Sequence, residues 1–238
     1  MPAPPDGLDR GSGTCPSQPP TADGTVYPVD SDLDTEPNAD PDTETGVEPT
    51  GSTHRWAFSE MLVSSVLGLI ASLVLSAEAV TLAADQNAIF SCDISTKISC
   101  AVVGRAWQSS LLGFPNAFLG LIAEPVVITL AVAALGGVRF PRWFMISAQV
   151  VYAIGLGFAY WLFYQAYFVI GALCPWCLLI TVTTTLVFFS MARVNIMEGH
   201  LGKWLQTRLA YPMRMGADVA LSIILIAVLA GMVIYRYI

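Results

Sequence analysis

Gly171-Ala-Leu-Cys-Pro-Trp-Cys-Leu178 sets two thiols three residues apart, at the boundary between a short break and the apolar run Leu178 to Met191. Pro175 suits the first position of a helix, where its missing N–H would be unpaired in any case. Cys174 then sits near the N-cap. Both thiols lie at the positive end of the helix dipole, which favours thiolate over thiol. A thiolate is both the nucleophile and the leaving group of disulfide exchange, so the turn reads as a redox centre at the mouth of an apolar helix. Structural cysteine pairs and zinc half-sites share this spacing, and the rest of the chain has to decide among them.

The run after this turn is one of five. The 238 residues have a mean hydropathy of +0.62, with 55% hydrophobic against 12% charged residues. A soluble domain of this length needs no such apolar excess; a membrane protein does. The apolar runs are Ala57 to Ala84, Leu111 to Leu135 (entered through Gly113-Phe-Pro-Asn116), Trp143 to Phe168, Cys174 to Ala192 and Ala217 to Ile234. Each is near the ~20 residues that cross a bilayer. A mixed loop, Ala88 to Ser110, joins the first two, and a short basic turn, Gly136 to Arg142, joins the next. A polar connector, Arg193 to Arg214, reads in part as an interfacial helix. The prediction is an all-α integral membrane domain of five spans over residues 54–238, with no appended soluble domain.

Residues 1–53 differ in kind. They hold ten of the 15 prolines and eleven of the 18 acidic residues, with Arg10 the only basic one. Such a segment cannot bury enough surface to offset its ordering entropy and is expected to be a disordered cytoplasmic tail. It lacks a basic stretch followed by an apolar one, so it does not read as a cleaved signal peptide. Cys15 has no partner in view there. The tail accounts for the net charge of -7; outside it stand ten basic and seven acidic residues, and nothing suggests nucleic-acid binding.

Lys and Arg orient the spans. With the N-terminus in the cytoplasm, the inner segments hold Arg10, Arg55, Arg139, Arg142, Arg193, Lys203, Arg208 and Arg214, and the outer ones only Lys97, Arg105 and Arg236. The plasma membrane, with redox cysteines and C-terminus outside, is the expected setting. Cys92, Cys100, Cys174 and Cys177 then share the oxidising side, where disulfides persist. Cys92-Asp-Ile-Ser-Thr-Lys-Ile-Ser-Cys100 is widely spaced and reads as mobile, whereas Cys174 and Cys177 are fixed at a helix end. Oxidation can pass between such pairs through a mixed disulfide. A four-cysteine zinc site or two static disulfides are the alternatives. His54 and His200 lie on the inner side, away from the thiols, and no metal is expected.

Other residues invite chemistry. Glu124, beside Pro125, falls near mid-membrane, where an ionisable group is costly; a hydrogen bond to Gln149 or Tyr152 would hold it neutral. Glu78 and Asp85 end the first span, placed to relay protons or simply to be solvated. Asn116 after Pro115 reads as a helix cap or as a ligand-binding amide. Trp107, Trp143 and Trp161 suit interfacial anchoring, and Trp176, between the thiols, suits a cofactor pocket.

The ordered set Cys92-Asp93, Ser99-Cys100, Gly113-Phe-Pro-Asn116-Ala-Phe-Leu-Gly120 and Cys174-X-X-Cys177 resembles bacterial, actinobacterial-type members of the vitamin K epoxide reductase family, over about Ala57 to Ala192. The resemblance implies a four-helix bundle around a quinone, with menaquinone expected as acceptor, plus a fifth helix. It implies that Cys177 lies against the quinone ring, that Cys174 accepts attack from Cys100, and that Cys92 exchanges with a partner protein. Asn116 would hydrogen-bond a quinone carbonyl, with Phe114, Trp176 and Thr181 as further quinone contacts. Many bacterial relatives carry a thioredoxin-like domain after the fifth helix; this chain ends at Ile238, so the expected partner is a separate DsbA-like thioredoxin-fold protein. Ala106 stands where the family often has Ser, and Thr181 where the vertebrate enzymes have Tyr, which points away from epoxide chemistry. The expected function is a disulfide-generating oxidoreductase that re-oxidises that partner and reduces a quinone. A thiol-driven reductase of quinone or vitamin K epoxide is the enzymatic alternative, and a four-thiol metal-binding membrane protein the non-enzymatic one.

Overall fold

The computed structural model describes residues 50–237, so most of the expected acidic tail, with Cys15, lies outside the described residues. The chain begins with α1 (Thr50–Ala84), whose 35 residues extend about 50 Å at 1.5 Å per residue. That exceeds the ~30 Å of a hydrocarbon core. Helix α1 stops at Asp85, whose carboxylate accepts the Asn87 N–H at 2.9 Å in an Asx turn. There follow α2 (Cys100–Arg105), a single 3-10 turn at Trp107–Ser110, α3 (Ala117–Leu135), α4 (Arg142–Tyr164), α5 (Pro175–Met197), α6 (Lys203–Arg214) and α7 (Ala217–Tyr237). Among the described residues, five stretches are long and apolar enough to cross a membrane: 55–84, 117–135, 142–170, 175–197 and 217–236. The all-α, five-span architecture expected from the sequence is the one the chain adopts.

Two boundaries move for local reasons. The second span starts at Ala117 rather than Leu111, because Gly113 takes a positive φ of 83° and Pro115 steers Phe114 away from helical backbone. The third span lengthens, since α4 runs on through a π-helical turn, Gln165–Ile170. Gly171 ends that turn at φ 74°, donating its N–H to the Ala166 carbonyl at 3.0 Å.

Helix α1 packs against both α3 and α5, α4 lies on α5, and α6 and α7 also contact α5. Lipid tails supply no hydrophobic drive between helices, so close approach depends on small residues. Two glycines set that approach. A Cβ at Gly120 would stand 2.0 Å from Ser72 Oγ, and one at Gly68 would stand 2.7 Å from Glu124 Oε1. The end of the bundle away from the cysteines is filled by Met61, Val127, Leu130, Met145, Val187, Met191 and Val194. There Arg193 donates to both carboxylate oxygens of Asp218 at 2.8 and 2.9 Å, tying α7 to α5. The perimeter is apolar: Val63, Ile70, Ile122, Val151, Ile154 and Ile224 are all exposed. In water such a surface would be a liability, and against lipid it is the matched one.

Candidate redox site

Local chemistry delivers each thiol. Cys174 is the N-cap of α5, in extended backbone, and Pro175 holds the first helical position. The Leu178 N–H bonds the Cys174 carbonyl at 3.1 Å, closing the first turn. Across from it, residues 85–99 form a tied loop. Arg105 reaches back from α2 to the carbonyls of Gln86 (2.8 Å) and Ala88 (3.2 Å). Asp93 accepts from the Phe90 N–H at 2.7 Å, the Ser99 hydroxyl at 2.6 Å and the Ala101 N–H at 3.0 Å. Ser99 in turn caps α2 by accepting the Val102 N–H at 3.1 Å.

The loop then joins the turn before α5. The Ser99 N–H bonds the Leu173 carbonyl at 3.0 Å, and the Leu173 N–H bonds the Lys97 carbonyl at 2.9 Å. This short parallel bridge pairs Ile98, two residues before Cys100, with Leu173, one residue before Cys174, so it sets the two cysteines side by side. Their Sγ atoms stand 3.1 Å apart, both residues buried. Cys92 and Cys100 are joined in a disulfide with Cα atoms 5.9 Å apart, while Cys174 and Cys177 are free thiols. The loop pair is therefore anchored, not loose as its spacing suggested. The physical reason is Asp93, which collects the donors of a whole turn.

The electrostatics follow from these contacts. Partial burial works against ionisation of Asp93, but hydrogen bonds from Ser99, Phe90, Ala101 and Cys100 outweigh it and hold the carboxyl below the usual range. The hydrogen bond from the Cys177 thiol pulls the Cys174 thiol down, aided by the N–H groups of Cys177 and Trp176 and opposed by burial and by the charge of Glu78. Cys174 is thus the readier thiolate, as the helix start predicts.

The expected quinone contacts divide. Trp176 packs against the cluster of Cys92, Cys100 and Cys174, along with Leu75, Phe90 and Val103. Asn116 donates Nδ2 to the Gln108 carbonyl at 2.6 Å, while its Oδ1 and Gln108 Oε1 are buried without a partner. Two orphaned acceptors, one on the 3-10 turn and one at the start of α3, suit a ligand that brings hydroxyl donors, as a quinol does. Phe114 is 38% exposed and stacks on Phe118 at 6.4 Å. Thr181 is buried, with its hydroxyl turned back onto the Cys177 carbonyl at 2.9 Å. Trp107 meets Trp161 edge to face at 6.4 Å, and Trp143 is exposed.

Glu124 accepts from the Tyr152 hydroxyl at 3.2 Å, one of its two expected partners. Gln149, the other, pairs with Asn195 instead at 3.1 Å. Asp85 stays exposed in its own turn. Glu78 reaches inward, with Oε1 3.3 Å from Cys92 Sγ. Glu78, Cys92 and Cys100 bring three ligand atoms within 4.8 Å of one another, but the two sulfurs are bonded to each other. The Ile98–Leu173 bridge and the Gln108 carbonyl were not legible beforehand, since backbone pairing of two irregular segments leaves no residue pattern.

The sequence pattern of the vitamin K epoxide reductase family matches residues 60–192, a stretch that contains all four of these cysteines. No curated protein matches the chain.

Proposed function

The chain belongs to the vitamin K epoxide reductase family, membrane thiol-dependent oxidoreductases of quinone or vitamin K epoxide, and from that premise we propose that it generates disulfides, re-oxidising a DsbA-like thioredoxin-fold protein at the expense of a quinone. The observation that carries this reading is the 3.1 Å approach of Cys100 to Cys174, which connects a disulfide to a pair of free thiols. Two static staples have no need of such a contact. A relay needs it, because exchange proceeds by attack of one sulfur on another.

The steps balance as follows. A partner thiolate attacks Cys92, and the partner's second thiolate resolves that bond, leaving an oxidised partner and two reduced loop cysteines. Cys100 as thiolate attacks Cys174 of an oxidised Cys174–Cys177 pair, forming Cys100–Cys174 and expelling Cys177. Cys92 attacks Cys100 in turn, re-forming the loop disulfide and releasing Cys174. The pair at the start of α5 then holds two electrons, and the hydrogen bond from Cys177 steadies the Cys174 thiolate. This last arrangement of bonds and thiols is the one described above. A quinone, menaquinone on this reading, would supply the acceptor for two electrons and two protons as the Cys174–Cys177 disulfide re-forms; Asn116, Phe114, Trp176 and Thr181 are the residues that would hold it.

The setting is the plasma membrane, with the thiols and C-terminus outside, on the strength of the Lys and Arg distribution. The test is purified protein with menaquinone and a reduced DsbA-like protein, followed by the quinone absorbance. Reduction stoichiometric with partner oxidation supports the reading. Zinc bound at the four thiols, with no quinone reduction, overturns it.

A further inference from the structure

We propose that Glu78 is a catalytic residue of the thiol relay: it takes the proton of the Cys92 thiol as Cys92 attacks the Cys100–Cys174 bond. The inference rests on the relay reading above and assigns the proton that this reading leaves unplaced.

The geometry is specific. Glu78 lies two turns before the end of α1, and its side chain turns toward the disulfide rather than out to solvent. Oε1 is 3.3 Å from Cys92 Sγ. Oε2 is buried and has no hydrogen-bond partner. Such an oxygen forfeits its solvation without a compensating bond, so its placement has a cost and calls for a function. The titratable groups that face Glu78 are Cys92 and Asp93 from the loop, Cys100 at the start of α2, and Cys174 and Cys177 at the start of α5. All of them become neutral or negative on titration. The charge that acts on Glu78 is that of Asp93, and Arg105 of α2 is engaged with the backbone carbonyls of Gln86 and Ala88. A carboxylate in this company gains nothing as one half of an ion pair, and it gains a purpose as a base.

The relay supplies the need. Only a thiolate resolves a mixed disulfide, and Cys92 must ionise next to sulfur and apolar side chains. Direct loss of its proton would create a second buried negative charge beside Glu78. Transfer to Glu78 avoids this, because thiol and carboxylate become thiolate and carboxylic acid at constant charge. Cys92 then bonds to Cys100, the Cys100–Cys174 bond breaks, and Cys174 leaves as thiolate. Glu78 returns the proton to water at the membrane surface before the next cycle. No electrons are gained or lost by the carboxyl.

The test compares Glu78→Gln with wild type in partner-driven quinone reduction across pH 6 to 9. Gln keeps the shape but accepts no proton. An unassisted thiol of pKa about 8.5 is only about 3% ionised at pH 7, so a fall of up to about thirtyfold is expected there. The deficit should shrink about tenfold per pH unit and vanish near pH 8.5 to 9. The Cys100–Cys174 link should accumulate in E78Q during turnover, read by non-reducing mass spectrometry. Glu78→Asp, which keeps a carboxylate, should be slower than wild type with the wild-type pH profile. An E78Q enzyme with wild-type rate and profile overturns the proposal, as does a slow E78Q whose deficit is the same at every pH, or an E78D that titrates like E78Q. Failure of the wild type to reduce quinone at all would instead overturn the relay reading itself.

Discussion

Asp93→Ala should detach the loop pair from the α5 pair without unfolding the helices. Three of the hydrogen bonds that end on this carboxylate measure 2.6 to 3.0 Å. Each is worth about 1 kcal/mol net, or about 3 kcal/mol together. Asp93 is only partly buried, so solvent screening reduces that sum to about 1.5 kcal/mol. At 1.4 kcal/mol per factor of ten, the ratio of docked loop, with Cys100 against Cys174, to undocked loop falls about tenfold. Partner-driven quinone reduction should fall by up to that factor. Reduction by dithiothreitol, which can enter at the α5 pair directly, should fall much less. The pH dependence has a definite sign. The folded pKa of Asp93 is depressed, so its contribution is complete above the unfolded value of about 3.9 and is lost as pH falls through the folded value. The gap between wild type and D93A should therefore stay constant from pH 8 to 5 and close only below about pH 4. A D93A enzyme at wild-type rate, or one that loses both activities equally, refutes the assignment of Asp93 to loop docking.

Cys92→Ala should abolish exchange with the partner yet leave dithiothreitol-driven quinone reduction partly intact, whereas Cys177→Ala should abolish both; equal behaviour with the small dithiol would mean the relay order is wrong. Gly120→Ala should lower the melting temperature in detergent through overpacking of about 1–3 kcal/mol, since its Cβ meets Ser72 Oγ and Cβ at 2.0 and 2.9 Å. Adding Ser72→Gly should recover most of the loss, and an unchanged melting temperature in G120A would contradict the α1–α3 contact. In intact cells, a membrane-impermeant thiol reagent applied after reduction should reach Cys92 and Cys100 but not Cys15. Labelling of Cys15 would reverse the orientation drawn from the basic residues.

The five spans were legible because membrane helices are written in long apolar runs, and the thiol pair at Cys174 because Pro175 marks a helix start. Boundaries shifted where backbone conformation outweighs hydropathy, at Gly113 and at the π turn before Gly171. The relation between the two cysteine pairs was less visible. It depends on Ser99 and Leu173 exchanging backbone hydrogen bonds with the opposing segment, and main-chain pairing carries no residue signature. Asp93 and Ser99 stood in the sequence beside the cysteines, but that they act together needs the fold of the loop. Glu78 was legible as a carboxyl at the end of a span; only its rotamer, turned onto Cys92, separates it from the solvated Asp85.

The central claim is that electrons cross between the pairs through one bond, Cys100 to Cys174. In Cys177→Ser the α5 pair cannot close, and Ser preserves the helix start. Cys174 as thiolate should then attack Cys100, 3.1 Å away, releasing Cys92 and forming a Cys100–Cys174 disulfide that alkylation of the freed Cys92 thiol keeps from reverting. Non-reducing mass spectrometry of the purified, alkylated variant should find that peptide pair linked, with Cys92 alkylated. A Cys92–Cys174 link would contradict the order of the relay, and an intact Cys92–Cys100 disulfide with no cross-pair link after prolonged alkylation would contradict the relay altogether.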